Sequence, residues 1–267
     1  MVVSTIDNPL VLVYDCLQKF TGGCQLVWNQ SPPANPTLAV PSTFTIPQQI
    51  ANNPLRVAIG IPYTTGFTAL FAMKTFGPLL FTPVPFCDKT PKMCRGVPLN
   101  VARDQIVTMA LEDPKCTHIL WVDTDMVCEN PPDPNAALQV LLNINAPIAG
   151  ALYRAKQETG FNYAAWKMTS DQTTGKLGFV PIQSFTGNWI EVDVTGLGFC
   201  LVKREVYEKV PRPWHPWNTP GPSEDFAFFM AARNQGYKVM IMTDVKLSHI
   251  GDLQVHCADG KVTTLEV

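Results

Sequence analysis

Asp123-Thr124-Asp125 places two carboxylates one residue apart at the end of an apolar run, Thr117-His118-Ile119-Leu120-Trp121-Val122. Oxygen ligands spaced this way can hold a divalent cation, and such a cation can carry a diphosphate. The pattern is short and also arises in solvated acidic turns. What gives it weight is its position, because ligand crevices in open α/β sheets form at the carboxyl ends of strands. A second group lies in Lys246-Leu247-Ser248-His249-Ile250-Gly251, read as following the last strand, where His249 can serve as a neutral imidazole ligand. A lone histidine is more often structural than ligating, so His249 gains its interest from the acidic pair. A third group is Ser223-Glu224-Asp225. Ser223 suits a helix N-cap, and acids in a first helical turn suit the macrodipole. Equally, one of the two carboxylates can face the crevice and take the proton of an acceptor hydroxyl. Local chemistry does not choose between these readings.

Two further stretches border these groups. The loop from Pro211 to Pro222 carries Trp214, His215 and Trp217, aromatics that can stack on sugar rings or pack as a lid. The glycines of Thr195-Gly196-Leu197-Gly198-Phe199 permit close backbone approach, either to a ligand or to a neighbouring strand.

The elements that must position these residues follow from apolar patterning. Leu55 to Ile61 reads as a buried strand closed by Pro62, and Asn100 to Glu112 as a helix with Val101, Ile106, Val107 and Ala110 toward one face, stopped by Pro114. Thr117 to Val122 is a second buried strand. Pro134 to Leu142 is a helix with proline near its start, and Pro147 to Leu152 a further strand. This alternation predicts an α/β fold with a mainly parallel sheet covered by helices. Beyond it, Trp189 to Val194, Phe199 to Val202 and Tyr237 to Met242 read as strands, and Ser223 to Gln235 as a helix capped by Gly236. Residues 1–54 differ: Val11 to Phe20 suits a short helix or strand, and Ser31 to Pro54 is rich in Pro, Asn, Thr and Gln, marking an irregular arm or linker. The chain therefore divides into an extension, 1–54, and a domain, 55–267.

Bulk properties narrow the class of partner. With 20 basic against 22 acidic residues there is no cationic excess for general polyanion binding. The 24 prolines accompany a normal 46% hydrophobic content, which indicates long ordered loops rather than a chain too polar to fold. No pair among the 8 cysteines has C-x-x-C spacing, and several sit in apolar runs, as structural thiols of a cytoplasmic protein do. No basic signal-peptide region opens the chain, and no apolar run approaches the ~20 residues of a membrane span.

Taken in order, Ile61-Pro62-Tyr63-Thr64, Asn100-Val101-Ala102-Arg103-Asp104, Trp121-Val122-Asp123-Thr124-Asp125-Met126, Thr195 to Phe199, Ser223-Glu224-Asp225-Phe226, Ala232 to Lys238 and Ser248-His249-Ile250-Gly251 resemble GT-A glycosyltransferases, particularly the family 2-like group, over roughly Leu55 to Asp252. The resemblance implies the GT-A fold, with a mainly parallel mixed sheet flanked by helices, and metal-dependent transfer of a sugar from a nucleotide-diphosphate sugar. It implies that Pro62, Tyr63 and Thr64 line the nucleotide pocket and that Arg103 helps hold the donor site. Asp123 would meet the ribose or the metal's water shell, and Asp125 would bind Mn2+ or Mg2+ directly with His249 as an additional ligand. Asp225 would be the base of an inverting reaction, with Glu224 its rival. Asp104 stands where relatives often have Asn, and the arm 1–54 has no counterpart. The acceptor (glycan, protein, lipid or modified nucleic-acid base), the donor sugar and the oligomeric state are left open.

Three other readings compete. In a haloacid-dehalogenase-like phosphatase, Asp123, Asp125 and Val127 would satisfy D-x-D-x-T/V and Gly251-Asp252 the late acidic motif, but His256 stands where a second acid belongs. A sugar nucleotidyltransferase would want a basic glycine-rich loop, and Pro62-Tyr63-Thr64-Thr65-Gly66 has no cation. A non-catalytic carbohydrate-binding protein on the same fold would have no need to keep metal ligands and base together.

Overall fold

The computed structural model describes residues 55–64, 66–155, 162–170, 177–217, 223–251, 254–258 and 262–264. The expected arm, 1–54, and the element at Val11 to Phe20 lie outside them. In chain order the elements are β1 (Leu55–Tyr63), a helical segment α1 over 69–81 whose middle, Ala72–Phe76, is π-helical, β2 (Cys87–Arg95), α2 (Leu99–Leu111), β3 (His118–Val122), β4 (Met126–Asn130), α3 (Pro134–Asn143) and β5 (Ile148–Leu152). There follow β6 (Ala165–Ser170), β7 (Leu177–Pro181), β8 (Trp189–Val192), β9 (Val194–Thr195), β10 (Phe199–Lys203), α4 (Arg204–Lys209), α5 (Glu224–Asn234), β11 (Val239–Ile250), β12 (Gln254–His256) and β13 (Val262–Thr264).

The main sheet has the order β13-β12-β11-β5-β10-β3-β1-β2, with β4 and β8 also paired to β11. Strands β2, β1 and β3 are mutually parallel, as are β5 and β11. Between these groups β10 runs antiparallel to both β3 and β5. Five strands thus point one way with a single reversed strand among them, and their carboxyl ends share one edge. The α/β class and the helix-flanked mixed sheet expected from the sequence are observed. Antiparallel pairings are more numerous than a mainly parallel sheet implies, because β4, β8 and β12 all return against β11. A second sheet, β7-β6-β9, stands beside α5.

Burial accounts for the central strands. Every residue of β3 is buried, as are Val57 to Pro62 of β1. Trp121 at the centre is fully enclosed, and its Nε1–H donates to the Tyr207 hydroxyl at 2.7 Å. Strand β1 continues through Pro62 rather than closing there. The last β1–β3 pair is Gly60 with Trp121, so Pro62 lies where β1 has a partner on one side, and its missing N–H costs no bond to β3. Edge strand β2 carries Pro91 for a related reason.

Helix ends follow local chemistry. Asp133 caps α3 by accepting from Asn135 N–H at 2.9 Å, ahead of Pro134. Gly236, at φ +84°, closes α5 with Tyr237 N–H to Ala232 C=O and Gly236 N–H to Arg233 C=O, the double bond of a Schellman motif. Ser223 occupies the N-cap position of α5, but its hydroxyl makes no capping bond. Glu224 and Asp225 occupy its first turn.

Strand β11 departs most from expectation. The sequence ends it at Met242 and places the Lys246 to Gly251 motif beyond it; the strand in fact runs to Ile250. Its first half pairs with β5 and β8. After a register shift between Met242 and Lys246, its second half pairs with β4. His249 is thus held in a strand, opposite Met126, one residue beyond Asp125.

Candidate active-site crevice

At the shared carboxyl edge, Asp123 leaves β3, Tyr153 leaves β5, and the Gly196-Leu197-Gly198 segment enters β10 between them. Asp123 N–H donates to Gly198 C=O at 2.9 Å, which extends the β3–β10 pairing by one residue. Beneath this edge lies Arg103 of α2, 1% exposed, with its guanidinium 5.3 Å from the Trp121 ring centre. Its Nη2 lies 3.2 and 3.3 Å from the two Asp123 carboxylate oxygens, and its Nε is 3.5 Å from both Glu224 Oε1 and Asp225 Oδ1. One buried cation therefore gathers three carboxylates from two elements. Of the α5 pair, Glu224 is the more enclosed, with its side chain 5% exposed against 18% for Asp225.

The charges constrain one another. Burial works to lower the Arg103 pKa, but Asp123, Asp225 and Glu224 together outweigh it and push it up, so the guanidinium is permanently charged. Burial raises the Asp123 carboxyl, against the pull of Arg103. Burial likewise carries Asp225 up to about 6, with Arg103 opposing and Glu224 reinforcing. The Leu197 N–H donates to Asp225 Oδ2 at 3.2 Å and fixes that carboxylate's orientation.

Asp125 and His249 form a second group, with His249 Nε2 3.2 Å from Asp125 Oδ2. His249 Nδ1 faces the Arg154 carbonyl at 3.0 Å; a carbonyl only accepts, so Nδ1 carries a hydrogen and Nε2 is the atom presented to Asp125. A backbone carbonyl behind the imidazole is the usual arrangement for a metal-ligating histidine. The oxygen and nitrogen donors fit a divalent cation completed by phosphate oxygens and water. Asp123 turns its carboxylate to Arg103 instead, and among the described residues no three of His, Cys, Asp and Glu gather closely enough to hold a metal ion.

Pro62, Tyr63 and Thr64 emerge at the same edge on the far side of β3, since β1 and β3 are parallel. Pro62 is buried, Tyr63 packs on Phe67 at 5.5 Å, and Thr64 is exposed. Asp252, on which the phosphatase reading also depends, lies outside the described residues.

The Pro/Trp-rich loop resolves into anchor and tip. Trp214 is buried and its Nε1–H donates to Tyr207 C=O at 2.8 Å, whereas Trp217 is 54% exposed. His215 is fully buried, stacked on Phe228, and gives both its backbone N–H (3.0 Å) and its Nδ1–H (2.8 Å) to Asp104 Oδ1. Both bonds fall on one oxygen, so the carbonyl of an Asn at 104 offers the same acceptor. The position is an anchor for this loop on α2.

Tyr153 is a further residue of this edge. It sits after the apolar run Pro147 to Leu152, where no neighbouring motif marks it, yet it is 4% exposed and its hydroxyl accepts from Gly198 N–H at 3.0 Å. Burial, with the charges of Asp123 and Asp225, pushes its pKa well above the ordinary tyrosine value. The glycines at 196 and 198 are explained by this neighbour: a Cβ on either would overlap the tyrosine hydroxyl.

Fold and site together define an α/β protein with a buried arginine–carboxylate cluster at the carboxyl edge of its sheet. No family model matches the chain, and no curated protein matches it. Among solved structures it is similar to A197 from STIV, with a TM-score of 0.54 and 18% identity over 80% of this chain and 95% of that one; the likeness is one of fold. GalNAc-T7 with UDP, GalNAc and Mn2+ gives a TM-score of 0.46 at 10% identity, over 75% of this chain and 44% of that one. Apo UDP-glucose pyrophosphorylase gives 0.39 at 9%, over 73% and 76%. The last two likenesses are too loose to bear on function. The six described cysteines are free thiols, and no described helix is long and apolar enough to cross a membrane.

Proposed function

We propose that the chain is a metal-dependent GT-A glycosyltransferase that moves a sugar from a nucleotide-diphosphate sugar to a hydroxyl acceptor, with inversion. The observation that carries this reading is the meeting, at one sheet edge, of the Arg103-bound carboxylates Asp123, Glu224 and Asp225 with the Asp125–His249 pair. Asp125 and His249 would hold Mn2+ or Mg2+, and Asp123 would meet the ribose or the ion's water shell. When bound, the ion would offset negative charge on the departing nucleoside diphosphate. Pro62, Tyr63 and Thr64 would border the nucleotide.

Asp225 is the better placed base. Its pKa near 6 leaves it ionised at neutral pH yet still basic enough to take a proton, and Leu197 N–H keeps it oriented. Glu224 and Asp225 lie equally near Arg103, but Glu224 is the more deeply buried, which suits charge balance. Trp217, exposed on the anchored loop just before α5, is a surface on which an acceptor ring could stack.

A panel of UDP- and GDP-sugars with Mn2+ tests this reading by release of nucleoside diphosphate. The wild-type chain is expected to turn over at least one donor, and Asp125→Ala to lose about a hundredfold or more, on the scale of the several kcal/mol a Lewis-acid cation supplies. An inert wild type across the panel, or an Asp125→Ala protein of undiminished rate, contradicts the proposal.

A further inference from the structure

Resting on that reading, we infer that Tyr153 is a positioning residue for the transfer step, tying the strand that carries His249 to the glycine segment that orients Asp225. The Gly198 backbone is bonded through both its polar groups: its N–H donates to the Tyr153 hydroxyl at 3.0 Å, and its C=O accepts from Asp123 N–H at 2.9 Å. The preceding amide, Leu197 N–H, holds Asp225 Oδ2 at 3.2 Å. On its other side the Tyr153 ring meets His249 edge to face, with centroids 5.8 Å apart and planes at 86°. A single side chain thus touches His249 and the glycine segment that bonds both Asp123 and Asp225, although those three residues lie on separate elements.

The surroundings are built to this tyrosine. Gly196 and Gly198 both lack the Cβ that would strike it, and Tyr153 itself is 4% exposed. Its hydroxyl accepts one bond, and no acceptor for its own hydrogen is found among the described residues. A phenylalanine here would pack equally well against His249 but would leave Gly198 N–H without its partner, so the hydroxyl and the ring have separable duties.

Tyr153→Phe and Tyr153→Leu test the assignment. The Phe variant is expected to lower kcat about tenfold while the donor KM and Mn2+-dependent nucleotide affinity stay within twofold of wild type, as loss of one hydrogen bond of ordinary net worth dictates. The Leu variant, which also strips the ring from His249, is expected to weaken nucleotide affinity as well. Amide hydrogen exchange supplies a readout that needs no substrate: in Tyr153→Phe, exchange at Leu197 and Gly198 should quicken about fivefold to tenfold, with other core amides unchanged. Uniform acceleration across the core, or parallel losses of kcat, affinity and melting temperature, would mean a merely structural tyrosine and overturn the inference. Exchange at 197 and 198 that does not change overturns it too. A wild type inert to all nucleotide sugars counts against glycosyl transfer alone, because the exchange experiment still reads the link.

Discussion

Asp225→Asn is expected to reduce the turnover of the transfer reaction by about 10^2- to 10^4-fold, the range that a general base contributes, while leaving nucleotide affinity unchanged. Asparagine keeps an oxygen for the Leu197 N–H and nearly the same volume, so orientation survives while basicity and the charge beside Arg103 are removed. The wild-type pH profile should carry the same signature. With Asp225 pushed up to about 6 by burial, kcat/KM should fall as pH drops through that value, and the limb should vanish in the residual activity of Asp225→Asn. Glu224→Gln is the control: its carboxylate faces Arg103 from a more buried position, so its loss should appear mainly as stability. Steady-state kinetics with direct nucleotide titration separates the two. A dead Glu224→Gln enzyme with normal binding beside an active Asp225→Asn enzyme moves the base by one residue.

Arg103→Met is expected to destabilise the fold by about 3–5 kcal/mol, the range for removing one partner from a buried ionic group. Methionine can fill much of the space over Trp121, but three carboxylates are then left facing one another without a cation. Arg103→Lys should recover part of this, since a point charge cannot span three acceptors as the guanidinium fork does. The pH dependence has a definite sign. A carboxyl whose folded pKa is raised contributes stability present below its unfolded value and lost as pH rises through the folded one. Asp123 and Asp225 are already raised by burial, with Asp225 near 6, and losing Arg103 raises both further. The deficit of Arg103→Met against wild type in urea unfolding should therefore be smaller at pH 5 than at pH 8. An equal deficit at both values would show that packing over Trp121, rather than charge, is what Arg103 supplies.

Much of the scaffold was legible because its signals are local. The buried runs at 55–61, 117–122 and 147–152, the proline-led α3 and the glycine stop of α5 each follow from patterning within about ten residues. Strands β2, β4, β6, β7, β12 and β13 and helices α1 and α4 were not legible. β2 is a polar edge strand carrying Pro91, and α1 contains Gly77-Pro78, so their order comes from the neighbours they pack on. The extension of β11 to Ile250 depends on pairing with β4, a contact distant in sequence.

The site shows the same division. Asp123, Asp125, His249, Glu224 and Asp225 announce themselves by residue type and by position at element ends. Their grouping does not: Asp123 goes to Arg103 and Asp125 to His249, a partition set by three-dimensional approach. Tyr153 is hidden for a similar reason. A tyrosine after an apolar strand is unremarked until the glycines at 196 and 198 are seen to make room for its hydroxyl.

In the proposed function the Asp125–His249 pair holds a divalent cation that carries a nucleoside diphosphate. Isothermal titration of UDP and GDP into the protein, with Mn2+ and then with EDTA, measures it directly. At least one of them is expected to bind in a manner that requires Mn2+ and is lost in both Asp125→Ala and His249→Ala. Equal affinity with and without metal, or Mn2+-dependent binding that survives both substitutions, would contradict it.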